Sequence, residues 1–186
     1  PNRDQVLVTE DLREDAFRSN KNIESVIFRD SVEIIGDRAF AECRNLKSVV
    51  MGNSMERISN YAFYQCYNLI SVLIPNSVKR IGINAFGDCS SLASVIIPNN
   101  LTIIEDYVFY QCTSLNSIII PDSVESIGEH AFFTCTSLAK VTIGNSVKSI
   151  GEWAFYNCNK LESIVIPDSV ESIGERAFDE CTSLKS

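Results

Sequence analysis

The sequence is poor in the residues that most catalytic and metal sites require. It holds one histidine, His130, in 186 residues. No Cys-x-x-Cys pair and no histidine cluster is present to surround a tetrahedral metal. A lone His130 implies no Ser-His-Asp or Cys-His relay. The carboxylates are many but scattered, and no pair has an evident reason for a raised pKa. There is no Gly-rich phosphate loop. Lysine and arginine nowhere cluster, and the formal net charge is −8. That balance argues against nucleic acid and anionic lipid as partners. No run of about 18 apolar residues exists to cross a membrane. Neither is there a charged segment followed by an apolar one at Pro1, so no signal peptide is expected in this sequence. The sequence therefore predicts no enzyme, no cofactor and no metal.

What is present is periodic. Phe17, Phe40, Phe63, Phe86, Phe109, Phe132, Phe155 and Phe178 stand 23 residues apart. All seven cysteines keep the same spacing, from Cys43 through Cys66, Cys89, Cys112, Cys135 and Cys158 to Cys181. A fixed period of this size marks a solenoid, in which each unit buries its apolar face only against its neighbours. One elongated solenoid over 1–186 is expected. Residues 1–22 form an atypical first unit or partial cap, with Val6-Leu-Val8 as a short strand covering the first rung and Asn20 where later units carry Cys. The C-terminus shows no comparable cap. Both ends look cut, as in a piece of a longer repeat protein.

Each unit has a legible order. Leu follows Cys by three, as at Leu46 and Leu161. Val or Ile comes three later, and another apolar residue two after that, as at Ile164 and Ile166. A spacing of two in β-branched residues predicts a strand with one buried face. Pro or Gly, then Asp or Asn, then usually Ser come next. Pro presets a turn, and the Asx side chain is expected to hydrogen-bond its local backbone. Gly36, Gly82, Gly128, Gly151 and Gly174 are expected to mark a sharp bend or positive φ, although Ser59 and Glu105 occupy the same column. Ala-Phe follows on the return path, with Val108 once replacing Ala. Stacked coils give a parallel sheet rising about 4.8 Å per rung, so about eight rungs span roughly 38 Å. The seven cysteines would form a line of parallel side chains. That arrangement suits neither a metal nor ready disulfides, so a buried column of free thiols is expected.

The pattern Cys-x-x-Leu-x-x-Val-x-Ile-Pro-x-Ser-Val-x-x-Ile-Gly-x-x-Ala-Phe-x-x resembles the BspA-like class of leucine-rich repeats over about residues 12–186. The resemblance implies a curved leucine-rich-repeat solenoid, an α/β-type repeat fold that is mostly β. It also implies a bacterial or protist protein at the cell surface or secreted, often engaged in adhesion to host proteins or other cells. The class offers no shared catalytic residues.

Two outward surfaces are candidates for contact. On the strand, Ile27, Val50, Leu73, Ile96, Ile119, Thr142 and Val165 point away from the core beside a column that includes Ser71, Ser94 and Ser117. An aliphatic stripe on a solvent face is a candidate protein-contact surface. It competes with the general preference of β-branched residues for strands. The second is aromatic and near the convex side. Tyr61, Tyr107, His130 and Trp153 share one variable, exposed column there, with Tyr64, Tyr67, Tyr110, Phe133 and Tyr156 beside it. Stacking between rungs is the competing account. Asn100-Leu-Thr102 is a sequon that matters only in a glycosylating host. The expected function is non-enzymatic binding of a protein ligand, such as a host extracellular or cell-surface protein, through the sheet face. The acidic surface favours basic or neutral partners. The alternative is a structural spacer or a self-assembling surface scaffold.

Overall fold

The computed structural model describes residues 4–185. Residues 1–3 and Ser186 of the expected solenoid lie outside them. No helix occurs among the described residues, so the return path of every rung is built from turns. The strands are β1 (Gln5–Val8), β2 (Ser25–Phe28), β3 (Ile34–Ile35), β4 (Ser48–Val50), β5 (Arg57–Ile58), β6 (Ser71–Leu73), β7 (Arg80–Ile81), β8 (Ile103–Ile104), β9 (Ser117–Ile119), β10 (Ser126–Ile127), β11 (Lys140–Thr142), β12 (Ser149–Ile150) and β13 (Ser172–Ile173). They form two parallel ladders rather than the single sheet expected. The expected strand builds the first ladder: β1-β2-β4-β6 and β9-β11 pair in parallel, 23 residues apart from β2 onward. β1 lies in register against β2, so the Val6-Leu-Val8 segment does cover the first rung. The second ladder follows the bend and runs β3-β5-β7 and β8-β10-β12-β13.

A third ladder closes the rung without strands. In the turn segment Arg38, Phe40 and Glu42 donate their N–H groups to the carbonyls of Asn60, Ala62 and Tyr64 in the next rung. Between them, Ala39, Ala41 and Cys43 donate within their own rung to Gly36, Arg38 and Phe40. Every amide in this tight segment is thereby satisfied, as a buried turn requires. Two residues per rung take left-handed φ, in the columns Asp15 to Arg176 and Ser19 to Glu180, and none of them is glycine.

This overturns the positive-φ half of the expectation about the repeated glycines, none of which has positive φ. Their reason is proximity. A Cβ on Gly151 would lie 2.5 Å from the carbonyl carbon of Gly128, one rung below. Glycine therefore marks where adjacent backbones approach too closely for a side chain. The Asx residues after the strand also act differently from expectation. The Oδ1 atoms of Asp30 and Asp122 accept from Asn53 N and Asn145 N in the next rung, at 2.6 and 2.7 Å, so they join rungs instead of closing their own turn.

The core is as repetitive as the sequence. The phenylalanines from Phe40 to Phe155 are fully buried, and the whole column from Phe17 to Phe178 is stacked with ring centroids 5.0–5.8 Å apart. Such near-parallel rings satisfy the aromatic preference for offset stacking while filling the rung. The leucines from Leu46 to Leu161 and the strand residues Val26, Val49, Val72, Val95, Ile118 and Val141 face the same core.

Candidate functional site

The strand ladder sets alternate side chains to opposite faces. With Val26, Val49, Val72 and Ile118 turned inward, Ile27, Val50, Leu73 and Ile119 must turn outward. In-register pairing then stacks them. Ile27 sits opposite Val50, Val50 opposite Leu73, and Ile119 opposite Thr142. Ile96 and Val165 continue the line, at 71% and 80% exposure, in segments that lie beyond the paired strands. Ile27 is half-buried and Thr142 exposed. Ser71, Ser94 and Ser117 are exposed beside them, and Ser117 Oγ donates to Asn116 Oδ1 at 3.1 Å. All the sheet-face residues expected from the sequence are thus brought onto one face.

Two residues extend this face beyond that expectation. Leu7 on β1 lies opposite Ile27 and is exposed, so the aliphatic line begins one rung earlier. Ile70 is also exposed, in a column otherwise held by Glu24, Lys47, Ala93, Asn116, Ala139 and Glu162. It widens the apolar line beside Leu73. The alternation Val6-Leu7-Val8 carried the first signal, and the polar company of Ile70 carried the second. Of the nine exposed large hydrophobics among the described residues, seven lie on this face, which sets it apart from the rest of the surface. Ion pairs Lys47–Glu24 and Lys185–Glu162 border its entry side.

The aromatic columns are organised differently. Tyr107, His130 and Trp153 stack with interplanar angles of 8° and 11°, and the Arg176 guanidinium covers Trp153 at 4.8 Å from the ring centroid. Tyr110, Phe133 and Tyr156 form a parallel stack alongside. Tyr61 stands apart, beneath Arg38 and edge-on to Tyr64, because the intervening rung offers Asn84 and Gly87. The rings cover one another's faces, so Tyr61, Tyr107, His130 and Trp153 are half-buried rather than exposed. Every residue of this column also has left-handed φ, from 53° to 59°. Burial raises the Tyr107 phenol above its ordinary range, and nearby Glu129 and Asp106 add to it.

All seven cysteines are free and buried. Each Sγ donates to the carbonyl of the phenylalanine 26 residues earlier, as Cys66 does to Phe40 at 3.2 Å. The column is therefore a set of hydrogen-bond donors as well as small apolar filler. Burial pushes these thiols up, Cys43 to about 11 and Cys66, Cys89, Cys112 and Cys135 well above the ordinary value. A thiol held protonated is a poor nucleophile and a poor metal ligand. Among the described residues no group of three or more His, Cys, Asp or Glu side chains is placed to hold a metal ion. No described helix is long and apolar enough to cross a membrane.

Comparison with known proteins agrees with this architecture. The family model for the BspA type leucine rich repeat region (6 copies) matches residues 10–122 and 102–186. Among solved structures, a leucine rich cell surface protein from Faecalibacterium prausnitzii A2-165 is similar along 100% of this chain, with 30% identity and a TM-score of 0.72. This chain spans 47% of that protein. The leucine rich repeat protein of T. pallidum is 25% identical, with a TM-score of 0.68, covering 100% of this chain and 86% of its own. The pneumococcal vaccine antigen PcpA, 24% identical over 95% of this chain and 53% of its own with a TM-score of 0.56, shares the fold. No curated protein matches the chain in sequence. The chain belongs to the family of BspA-type leucine-rich repeats.

Proposed function

We propose that this solenoid is a non-enzymatic protein-binding module of a cell-surface or secreted protein, making contact through the sheet face. The observation that supports it is the aliphatic line from Leu7 to Val165, which gathers seven of the nine exposed large hydrophobics on one side. Apolar surface of that extent on an otherwise polar molecule is costly unless it is covered in use. The serines beside it supply hydrogen-bonding groups without long side chains to immobilise. The net charge of −8 favours a basic or neutral partner. The F. prausnitzii relative, a cell surface protein, supports the same location for this chain.

The test is binding to a panel of purified extracellular proteins by surface plasmon resonance, comparing the native chain with Leu73→Asp/Ile96→Asp. The expected result is a loss of at least about tenfold in affinity with an unchanged melting curve, because central apolar contacts dominate interface energies. Unaltered binding by the double variant would remove the sheet face from the proposal. The same apolar line could instead seat a second copy of the chain, as a laterally packed scaffold does. Sedimentation equilibrium separates the two: concentration-dependent mass abolished by the double variant favours self-assembly.

A further inference from the structure

The ladders that hold the rungs together are not equally continuous. The second ladder runs unbroken from β3 to β7 and from β8 to β13, but β7 and β8 do not pair. In the other rungs from Glu56 onward, the residue in the Thr102 column donates its N–H to the rung before, as Glu56 does to Glu33 and Glu125 to Thr102. The Gly column does the same, as Gly82 to Ile58 and Gly128 to Ile104. Among the described residues Thr102 N and Glu105 N have no such bond to Lys79 and Ile81. One column of side-chain bridges stops there as well, although Asn99 N still donates to Asn76 Oδ1 at 3.3 Å and Asn100 Nδ2 to Asn76 O across the same junction. Asp37 Oδ1 accepts from Asn60 N, and Asn60 Oδ1 from Ile83 N, but Ile83 has no acceptor to offer Asp106.

The strand ladder weakens at the same place. The segment Ser94–Ile97 is joined to β6 only by the Ser71–Ser94 bridge and does not pair with β9. The bonds that introduce it, Ala93 N to Ile70 O and Asn116 N to Ala93 O, are both 3.3 Å, against 2.8–3.1 Å for the equivalents at Lys47, Ile70, Ala139 and Lys185. On the far side of this segment, toward β9, a cleft of about 310 Å³ lies between Ile96 and Ile119, with Val95, Ile97 and Ile118 in its walls. The last rung's Ser163–Val165 is also outside the strands, but its second ladder is intact through Glu171 and Gly174. Among the described residues the second ladder is interrupted only between β7 and β8, and there the strand ladder is reduced to one bridge.

The sequence supplies the cause. The rung above the junction carries Glu105 where five others have glycine, and Val108 where its neighbours have Ala85 and Ala131. At this column a Cβ meets the backbone of the rung below at under 3 Å, as Gly128 and Gly151 show. Ser59 carries a short side chain in the same column with its ladder intact, so two extra heavy atoms are tolerated where alanine still follows. Valine adds two methyl carbons in a fully packed layer, and packed interiors answer such additions by shifting apart. The shift is visible. Phe86 and Phe109 have the widest spacing in the ring column, 5.8 Å, and the bond Phe86 N to Val108 O, at 3.0 Å, is the longest in its series.

We infer that the junction between β7 and β8 is a seam that divides the solenoid into two cooperative blocks, hinged on the turn ladder and opening on the side of the second ladder. The turn ladder remains whole across it, through Asn84 N to Asp106 O, Phe86 N to Val108 O and Asp88 N to Tyr110 O. Arg80 and Glu105 reach across the open side at 3.5 Å. Opening about the intact ladder changes the spacing of Leu73 and Ile96 without breaking the core of either block. Repeat proteins lose cooperativity where one interface between neighbours is weak. The inference does not depend on what the sheet face binds.

Amide hydrogen exchange of the native protein tests it. After correction for intrinsic rates, Thr102 and Glu105 should exchange at least about tenfold faster than Glu125 and Gly128. Glu105→Gly/Val108→Ala should bring the first set to the protection of the second. A transplant covers the case in which that variant misfolds: Gly128→Glu/Ala131→Val should create a second seam and deprotect Glu125 and Gly128. Equal protection of the two sets in the native chain overturns the seam. A transplant that folds and leaves Glu125 and Gly128 protected overturns its assignment to Glu105 and Val108.

Discussion

Cys89 Sγ donates a hydrogen bond to the carbonyl oxygen of Phe63 at 3.2 Å, across one rung of the solenoid. The same oxygen accepts Cys66 N within its own rung. The alternate carbonyls on either side, at Ala62 and Tyr64, are taken by the rung before. The phenylalanine carbonyl is the one left pointing inward, and the thiol is small enough to reach it. This explains why the column holds cysteine rather than alanine or valine.

Cys89→Ala should therefore cost more than a methyl-sized cavity alone. The lost donor and the lost volume together amount to about 2 kcal/mol. Cys181→Ala, at the less buried end of the column, should cost less. Urea midpoints of the two variants at equal slope provide the comparison.

The raised thiols make stability sensitive to alkali. Each buried cysteine binds its proton more tightly folded than unfolded, where its value is near 9.0. Below that value both states hold the proton and stability is independent of it. Above it the unfolded chain ionises first, and stability falls by about 1.4 kcal/mol per pH unit for each thiol until the folded value is passed. For Cys43 that window runs from about 9 to about 11. The fully buried thiols extend it upward, so unfolding should set in steeply above pH 9. Denaturant midpoints across that range measure the slope, and Cys→Ala at one site should reduce it by one proton.

Backbone geometry predicts a pair of opposite effects. Gly151→Ala places a Cβ against Gly128 and Glu129 of the rung below. It should destabilise by about 1–3 kcal/mol although its φ suits alanine. Thr134 is a β-branched residue held at φ 58°. Thr134→Gly relieves that strain and should stabilise by about 1 kcal/mol. Thermal melts distinguish the two signs directly.

Neighbours on one strand should separate contact from core. Leu73 is 60% exposed and Val72 is 7% exposed. Leu73→Asp should leave stability within about 0.5 kcal/mol, whereas Val72→Asp buries a carboxylate and should cost more than about 3 kcal/mol. Circular dichroism melts of the two variants suffice.

The parts of the fold that were legible in the sequence are those where one physical need selects one residue type. Phe86 fills the rung, Leu92 and Cys89 pack beneath it, and Val72 and Ile74 alternate inward, so their columns declare themselves. The second ladder was not legible. Arg57-Ile58 is two residues with a single apolar member, and its pairing depends on register set elsewhere. The role of Gly151 was misjudged because proximity between residues 23 apart leaves no local sign. Asp30 was misjudged for the same reason: its acceptor serves Asn53, not its own turn. His130 belonged to a variable column and so promised exposure, yet stacking between Tyr107 and Trp153 half-buries it. On the sheet face the outward line followed from strand alternation alone. The break in the second ladder between β7 and β8 depends on the combined bulk of Glu105 and Val108, which no single rung discloses.

The line of thiols has a consequence for what happens after the fold is lost. Folded, seven cysteines coexist without a disulfide because burial keeps them protonated and out of reach. Once a chain opens, the same seven become ordinary reactive thiols, an odd number on one flexible polymer. Held unfolded in the presence of oxygen, they cross-link within and between chains. Prolonged unfolding in air without a reductant is then a one-way event, and under those conditions the lifetime of the protein is set by how rarely the stack opens rather than by how favourable the folded state is.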